Sequence, residues 1–180
     1  MVRVLPDGSD ALISHANWSG FEVMLRIYKA YTLRYNAFGA LPGATTSFSS
    51  YPSSIYSGDD WTQMAPSRLV SLETTIGNDN ATLYTLYVQP RSVFAWIRSV
   101  VANRLAPDAP TWAALFARYN SGTANDEWLV VDFKRFNASS PAQPVGDNLL
   151  WVVDQAPGFV VSIDVSSVLR TSGYFASYNM

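Results

Sequence analysis

His15 is the only histidine in the chain, and it follows the short apolar run Ala11-Leu12-Ile13, where a strand would hand over to a loop. An imidazole there can serve as a general base or orient another group by hydrogen bonding. It can equally be a satisfied boundary residue, and position alone leaves both readings open. Asp59-Asp60 is an adjacent acidic pair that could hold calcium or simply turn the chain in solvent. Glu73 lies inside an apolar run, where a carboxyl needs a partner such as an arginine, so structural pairing and catalysis both fit it. Other chemistries are excluded by residue type. The chain has no cysteine, which removes disulfides, thiolate metal sites and a cysteine nucleophile from these residues. No His/Asp/Glu set has metal-ligand spacing, so neither a metal nor another cofactor is expected. Gly-x-Ser-x-Gly, Gly-x-Gly-x-x-Gly and phosphate-loop patterns are absent, and Gly77, Gly122 and Gly158 read as turn residues.

The elements that would carry these residues follow from periodicity. Ala11 to Ile13 reads as a strand ending near His15. Ser19 and Glu22 make a capping box, and Phe21, Met24, Leu25, Tyr28 and Tyr31 at helical spacing predict a helix to about Tyr35. Residues 36–60 read as a long polar loop, either a functional surface loop or one holding short strands around Phe48 and Ile55. Arg68 to Ile76 predicts a strand with Leu69, Ser71, Glu73 and Thr75 on one face and Val70, Leu72, Thr74 and Ile76 on the other. Thr82 to Val88 fits a strand or a helical turn. Pro90 is expected to open a helix with an apolar stripe of Val93, Phe94, Ile97, Val100, Val101 and Leu105. Thr111 would cap a shorter helix to Tyr119. Glu127 to Phe133 reads as a strand, and Leu149–Asp154 with Phe159–Asp164 as a hairpin about Ala156-Pro157-Gly158. The class is α+β, with no internal repeat and no domain boundary.

Length and composition agree with a packed domain. The 180 residues are 48% hydrophobic, with six Trp, ten Tyr and nine Phe. A net charge of -2 with no basic stripe argues against a nucleic-acid partner. No apolar run approaches the roughly 18 to 20 residues needed to cross a bilayer, so no transmembrane segment is expected. Three Asn-x-Ser/Thr sequons, at Asn17, Asn80 and Asn137, are compatible with a secretory history.

An ordered series of segments resembles the phospholipase B-like family of lysosomal or secreted proteins. It runs Leu69-Val70-Ser71-Leu72-Glu73-Thr74-Thr75-Ile76-Gly77-Asn78, Val88-Gln89-Pro90-Arg91, Trp96-Ile97-Arg98, Val101-Ala102-Asn103-Arg104-Leu105-Ala106 and Tyr119-Asn120-Ser121-Gly122-Thr123. Trp128-Leu129-Val130-Val131-Asp132-Phe133-Lys134, Gln155-Ala156-Pro157-Gly158 and Ala176-Ser177-Tyr178-Asn179 complete it. The resemblance implies an αββα sandwich of the N-terminal-nucleophile hydrolase class, in which a self-cleaved precursor exposes a cysteine whose thiol attacks the substrate and whose α-amine is the base. The implied activity is cleavage of acyl ester bonds in phospholipids, hence lipid degradation, with acyl amide hydrolysis or a non-catalytic scaffold as alternatives.

Matched residue by residue, the resemblance implies catalytic positions at His15, Thr75 and Asn179, the last as an oxyanion donor, and substrate contacts at Trp18 and Asn120. Asn120 and Asn125 also fit an ordinary turn. The family's cysteine would lie a few residues before the position of Val2, where this chain has Met1. The expectation is therefore a single incomplete domain over residues 1–180, truncated at both ends, inactive alone, whose partners are the rest of a parent protein and a lipid or other acyl substrate.

Overall fold

The computed structural model describes residues 1–21, 24–33, 39–58 and 61–179. Along the chain come β1 (Val2–Val4), β2 (Ala11–Ile13), β3 (Ile27–Thr32), β4 (Thr45–Ser50), β5 (Trp61–Ala65) and β6 (Leu69–Thr75). Three helices follow, α1 (Ala81–Tyr87), α2 (Ala95–Leu105) and α3 (Ala109–Phe116). Then come β7 (Asp126–Asp132), β8 (Leu150–Ala156), β9 (Phe159–Asp164), α4 (Ser166–Ser172) and β10 (Tyr174–Phe175). Strands β3 to β9 form a seven-stranded antiparallel sheet in sequence order, and β10-β1-β2 form a second antiparallel sheet of three strands. The fold is α+β with two antiparallel sheets and helices, as the sequence led us to expect.

Strand alternation divides the core in two. Leu69 on β6, Trp128 and Val130 on β7 and Val153 on β8 face α2 and α3, packing with Ala102, Ala106, Trp112 and Phe116. Val70, Leu72, Leu129, Val131, Leu150 and Val152 face the other way, against Val2 of β1 and Leu169 of α4. The two faces of β6 are thus those read from its residues. Trp112 stacks on Phe116 with centroids 4.9 Å apart, and both rings lean on Trp128. The hairpin of β8 and β9 turns at Pro157-Gly158, where Gly158 has φ +89° and a Cβ would lie 2.6 Å from the Tyr87 ring.

Several elements differ from expectation. Within the span predicted as a helix from Ser19 to Tyr35, Ile27–Thr32 is instead a strand, since it pairs residue for residue with β4. Helical spacing of its apolar residues is overridden by the ladder and by Tyr31 meeting Phe48 edge-on at 5.4 Å. Glu22 and Tyr35, like Asp59 and Asp60, lie outside the described residues. Within the long loop, Phe48 does sit on a strand, whereas Ile55 does not. Thr82–Val88 resolves to the helical alternative, α1.

Helix α2 begins at Ala95 rather than Pro90, and its buried face is not the apolar stripe. It is Ala95, Arg98, Ser99, Ala102, Asn103 and Arg104, while Phe94, Val101 and Leu105 are exposed. Small residues let the helix approach the sheet, and its polar side chains are bonded there. Asn103 Oδ1 accepts from Trp112 Nε1 at 2.7 Å and from Ser71 Oγ at 3.1 Å. Helix α3 is capped by Asp108, which accepts from Thr111 N at 2.9 Å, not by Thr111 itself. Strands β1, β5 and β10 and helix α4 carry too few residues, or too mixed a pattern, to be read in advance.

Candidate active site

The register of the small sheet decides where the candidate residues gather. Pairing Val2 with Ile13 on one side and Phe175 on the other brings Ser14–Trp18 and Ser177–Asn179 to the same end of β1. That end lies over the last residues of β6. Together they enclose a cavity of about 480 Å³, lined by Met1, His15, Trp18, Leu72, Thr75 and Asn179 among others. His15, Trp18, Thr75 and Asn179 therefore meet although they come from three separate parts of the chain.

His15 is fixed by a 2.7 Å hydrogen bond between its Nε2 and the backbone oxygen of Glu73. A carbonyl oxygen only accepts, so Nε2 carries the hydrogen in this bond. This bond also ties the loop after β2 to β6. Thr75 Oγ1 stands 3.4 Å from Glu73 Oε1. Trp18 is 81% exposed, an apolar plate at the cavity mouth with little else covering it. Beyond His15, Ser14 and Asn17 also border a second hollow that continues toward Met24, Arg26 and Trp61.

Asn120 is elsewhere. Its Nδ2 donates to Ala156 O at 2.8 Å and to Phe159 O at 3.2 Å, while its Oδ1 accepts from Arg98 Nη2 at 3.1 Å. These bonds hold the β8–β9 turn on the helix side of the large sheet, outside the cavity. The structure does not bring Asn120 to the residues with which the resemblance grouped it.

Arg98 heads a buried polar network under the same end of the sheet. It donates to Phe116 O and to Gln155 Oε1, each at 2.5 Å, and Gln155 Nε2 in turn donates to Asp126 Oδ2 at 2.5 Å. Burial lowers the Arg98 guanidinium to about 10, with the charge of Asp126 opposing the shift, so it remains a cation at neutral pH. Burial likewise raises the Asp126 carboxyl, against hydrogen bonds from Glu73 and Gln155 and the charge of Arg98. Glu73 lies beside the Asp126 carboxyl at the head of this network.

The opposite face of the same strands carries a second carboxyl pair. Glu127 stands across from Asp154 in the β7–β8 ladder and across from Thr74, a cavity residue, in the β6–β7 ladder. Burial, first, and the neighbouring carboxyl raise Glu127, while a hydrogen bond from Ser177 lowers it. Burial also raises Asp154. Sequence reading missed this pair. The available signal was an acid at an inward position of each of two apolar strands, the same signal that drew notice to Glu73.

Two antiparallel sheets that share a core, with helices α2 and α3 on the far face of the larger one and a polar-mouthed cavity at the strand ends, define a two-sheet α+β scaffold. A sequence profile described as Phospholipase B matches residues 1–180. "Putative phospholipase B-like 2" of Mus musculus is 45% identical over 186 residues, covering 100% of this chain and 31% of its own length. "Phospholipase B-like protein B" of Dictyostelium discoideum is 39% identical over 180 residues, covering 100% of this chain and 30% of its own. The chain belongs to the phospholipase B family, a hydrolase family, and spans about a third of the length of these curated relatives. Among the described residues no helix is long and apolar enough to cross a membrane.

Proposed function

We propose that this chain supplies one wall of the catalytic cavity of a hydrolase that cleaves acyl ester bonds of phospholipids through an N-terminal cysteine. The observation that carries the reading is the meeting of His15, Trp18, Thr75 and Asn179 around one cavity at the strand ends. With no cysteine among the 180 residues, the thiol on this reading comes from another part of the parent polypeptide. Its sulfur attacks the acyl carbon while its proton passes to the cysteine's own α-amine. The carbonyl oxygen becomes an oxyanion, for which the Asn179 amide and the Thr75 hydroxyl are the donors. Collapse expels the alcohol, which takes the proton back, and water then splits the thioester. His15 orients the reacting groups from its anchor on Glu73, and Trp18 receives the acyl chain.

A lysosomal or secreted location accompanies this reading. The three sequon asparagines, Asn17, Asn80 and Asn137, are all exposed, as glycan acceptors must be. The test is fatty-acid release by the whole parent polypeptide from a labelled phosphatidylcholine at acidic pH, with an N-acyl amide run in parallel. Asn179→Ala is expected to lower kcat by about 10²–10³-fold with KM little changed. Faster turnover of the amide would move the assignment to amide hydrolysis. Turnover of neither substrate, or an Asn179→Ala enzyme as fast as its parent, would sink the proposal.

A further inference from the structure

One face of β6 carries Thr74, Leu72 and Val70 in turn, and its surroundings change with each step. Thr74 and Leu72 border the cavity of about 480 Å³, whereas Val70 does not. Across the ladder, Leu72 pairs with Leu129 of β7, which also borders the cavity, and Val70 pairs with Val131, which does not. Leu72 and Leu129 are each only 2% exposed, and behind them Val70 and Val131 pack in one cluster with Val2 of β1. The cavity therefore ends on a cross-strand pair of leucines with packed interior beyond. Trp61 and Val152 flank the pair in the same row of the sheet, so this floor is held from both sides. Leucine offers nothing to a charged headgroup or a glycerol hydroxyl, and releasing water from it favours an apolar chain. The hollow that shares Ser14, His15 and Asn17 with the cavity is bordered instead by Ser49 and Arg26 as well, which leaves the polar part of a substrate a separate way out.

We propose that Leu72 and Leu129 determine acyl-chain specificity: they are the floor on which the end of the chain rests, and so they set the longest chain the cavity accepts. The chain enters past Trp18, its carbonyl stays beside Thr75 and Asn179, and its methylenes run toward the floor. Each methylene added on that path leaves water and strengthens binding by about fourfold. The gain stops once the terminal methyl meets the leucines, because a close-packed interior does not take one more carbon without strain. The inference rests on the hydrolase reading for its effect on turnover, but the binding of a fatty acid does not depend on it.

The test measures the affinity of the parent polypeptide for saturated fatty acids of increasing length, by displacement of a fluorescent fatty acid. Affinity is expected to rise about fourfold per methylene and then to level off at one chain length. Leu72→Phe and Leu129→Phe are expected to bring that break to shorter chains, and Leu129→Ala to move it to longer ones. Val131→Ile, in the same cluster but outside the cavity, is expected to leave it in place, with thermal melts establishing that each variant is folded. A break that stays at the wild-type length in the folded floor variants would overturn the proposal, as would a wild-type affinity that is absent or does not vary with chain length. Turnover reads the same floor a second way. With phosphatidylcholines of matched chain length, kcat/KM is expected to break where binding does. For the first chain too long, Leu72→Phe and Leu129→Phe are expected to lower it by about 10–200-fold. If no phospholipid is hydrolysed while the binding break still moves with the floor, the hydrolase reading fails and the acyl floor stands.

Discussion

Arg98 shows how much one buried side chain can organise. Its guanidinium reaches Val93 O, Phe116 O, Asn120 and Gln155, and it also lies over the Phe116 ring at 4.4 Å. Removing it leaves buried acceptors unpaired and Asp126 without its nearest cation. We expect Arg98→Ala to cost about 3–5 kcal/mol, read as a shift in the urea midpoint. Arg170 offers the contrast, since its 2.9 Å bridge to Asp147 is largely solvent-exposed. Arg170→Ala should change stability by no more than about 1 kcal/mol. Arginine type and sequence neighbours do not separate these two. Burial does.

Helix α2 makes the same point one level up. Read as a pattern, Val101 and Leu105 belong to its apolar face. In the fold both of these are exposed, and Ala95, Ala102 and Asn103 are buried against the core. A polar replacement at Val101 should therefore move the stability of the chain by only about 0.5 kcal/mol. Trp112→Ala on α3, by contrast, should cost about 3–5 kcal/mol, because it empties a fully buried site and takes a donor from Asn103. Thermal melts of the two variants, side by side, check which face of the helical layer is load-carrying. Equal losses would show that the stripe is the packed face after all.

Over the whole molecule, the shifted carboxyls pull stability in two directions with pH. Asp126, Glu127 and Asp154 are raised by burial, so the fold favours their protonated forms. Their contribution is complete below the ordinary carboxylate range near 4 and is lost as pH rises through their raised values. Asp164 is lowered by hydrogen bonds from Ser166 and Asn148, against burial, so its contribution is present above that range and lost as pH falls through its lowered value. The expected curve of melting temperature against pH rises from neutrality toward about pH 5 and turns down below about pH 4. Glu127→Gln should flatten the neutral limb and leave the acid limb as it was. A wild-type curve that falls steadily from pH 7 to pH 5 would contradict the raised assignments.

The sequence by itself determined the α+β class, the two faces of β6, the β8–β9 hairpin and, through an ordered set of motifs, the family. These rest on local periodicity or on short strings of residues, which a chain carries whatever its partners do. It also named four residues that come to share one cavity. Only the tertiary structure decided that Ile27–Thr32 is a strand, since its helical spacing is outweighed by a ladder with a segment almost twenty residues away. Only the tertiary structure took Asn120 to the helix side of the sheet, and set Glu127 beside Asp154. Those placements depend on strand register and on which face each neighbour covers, and neither is written in the residues next to them.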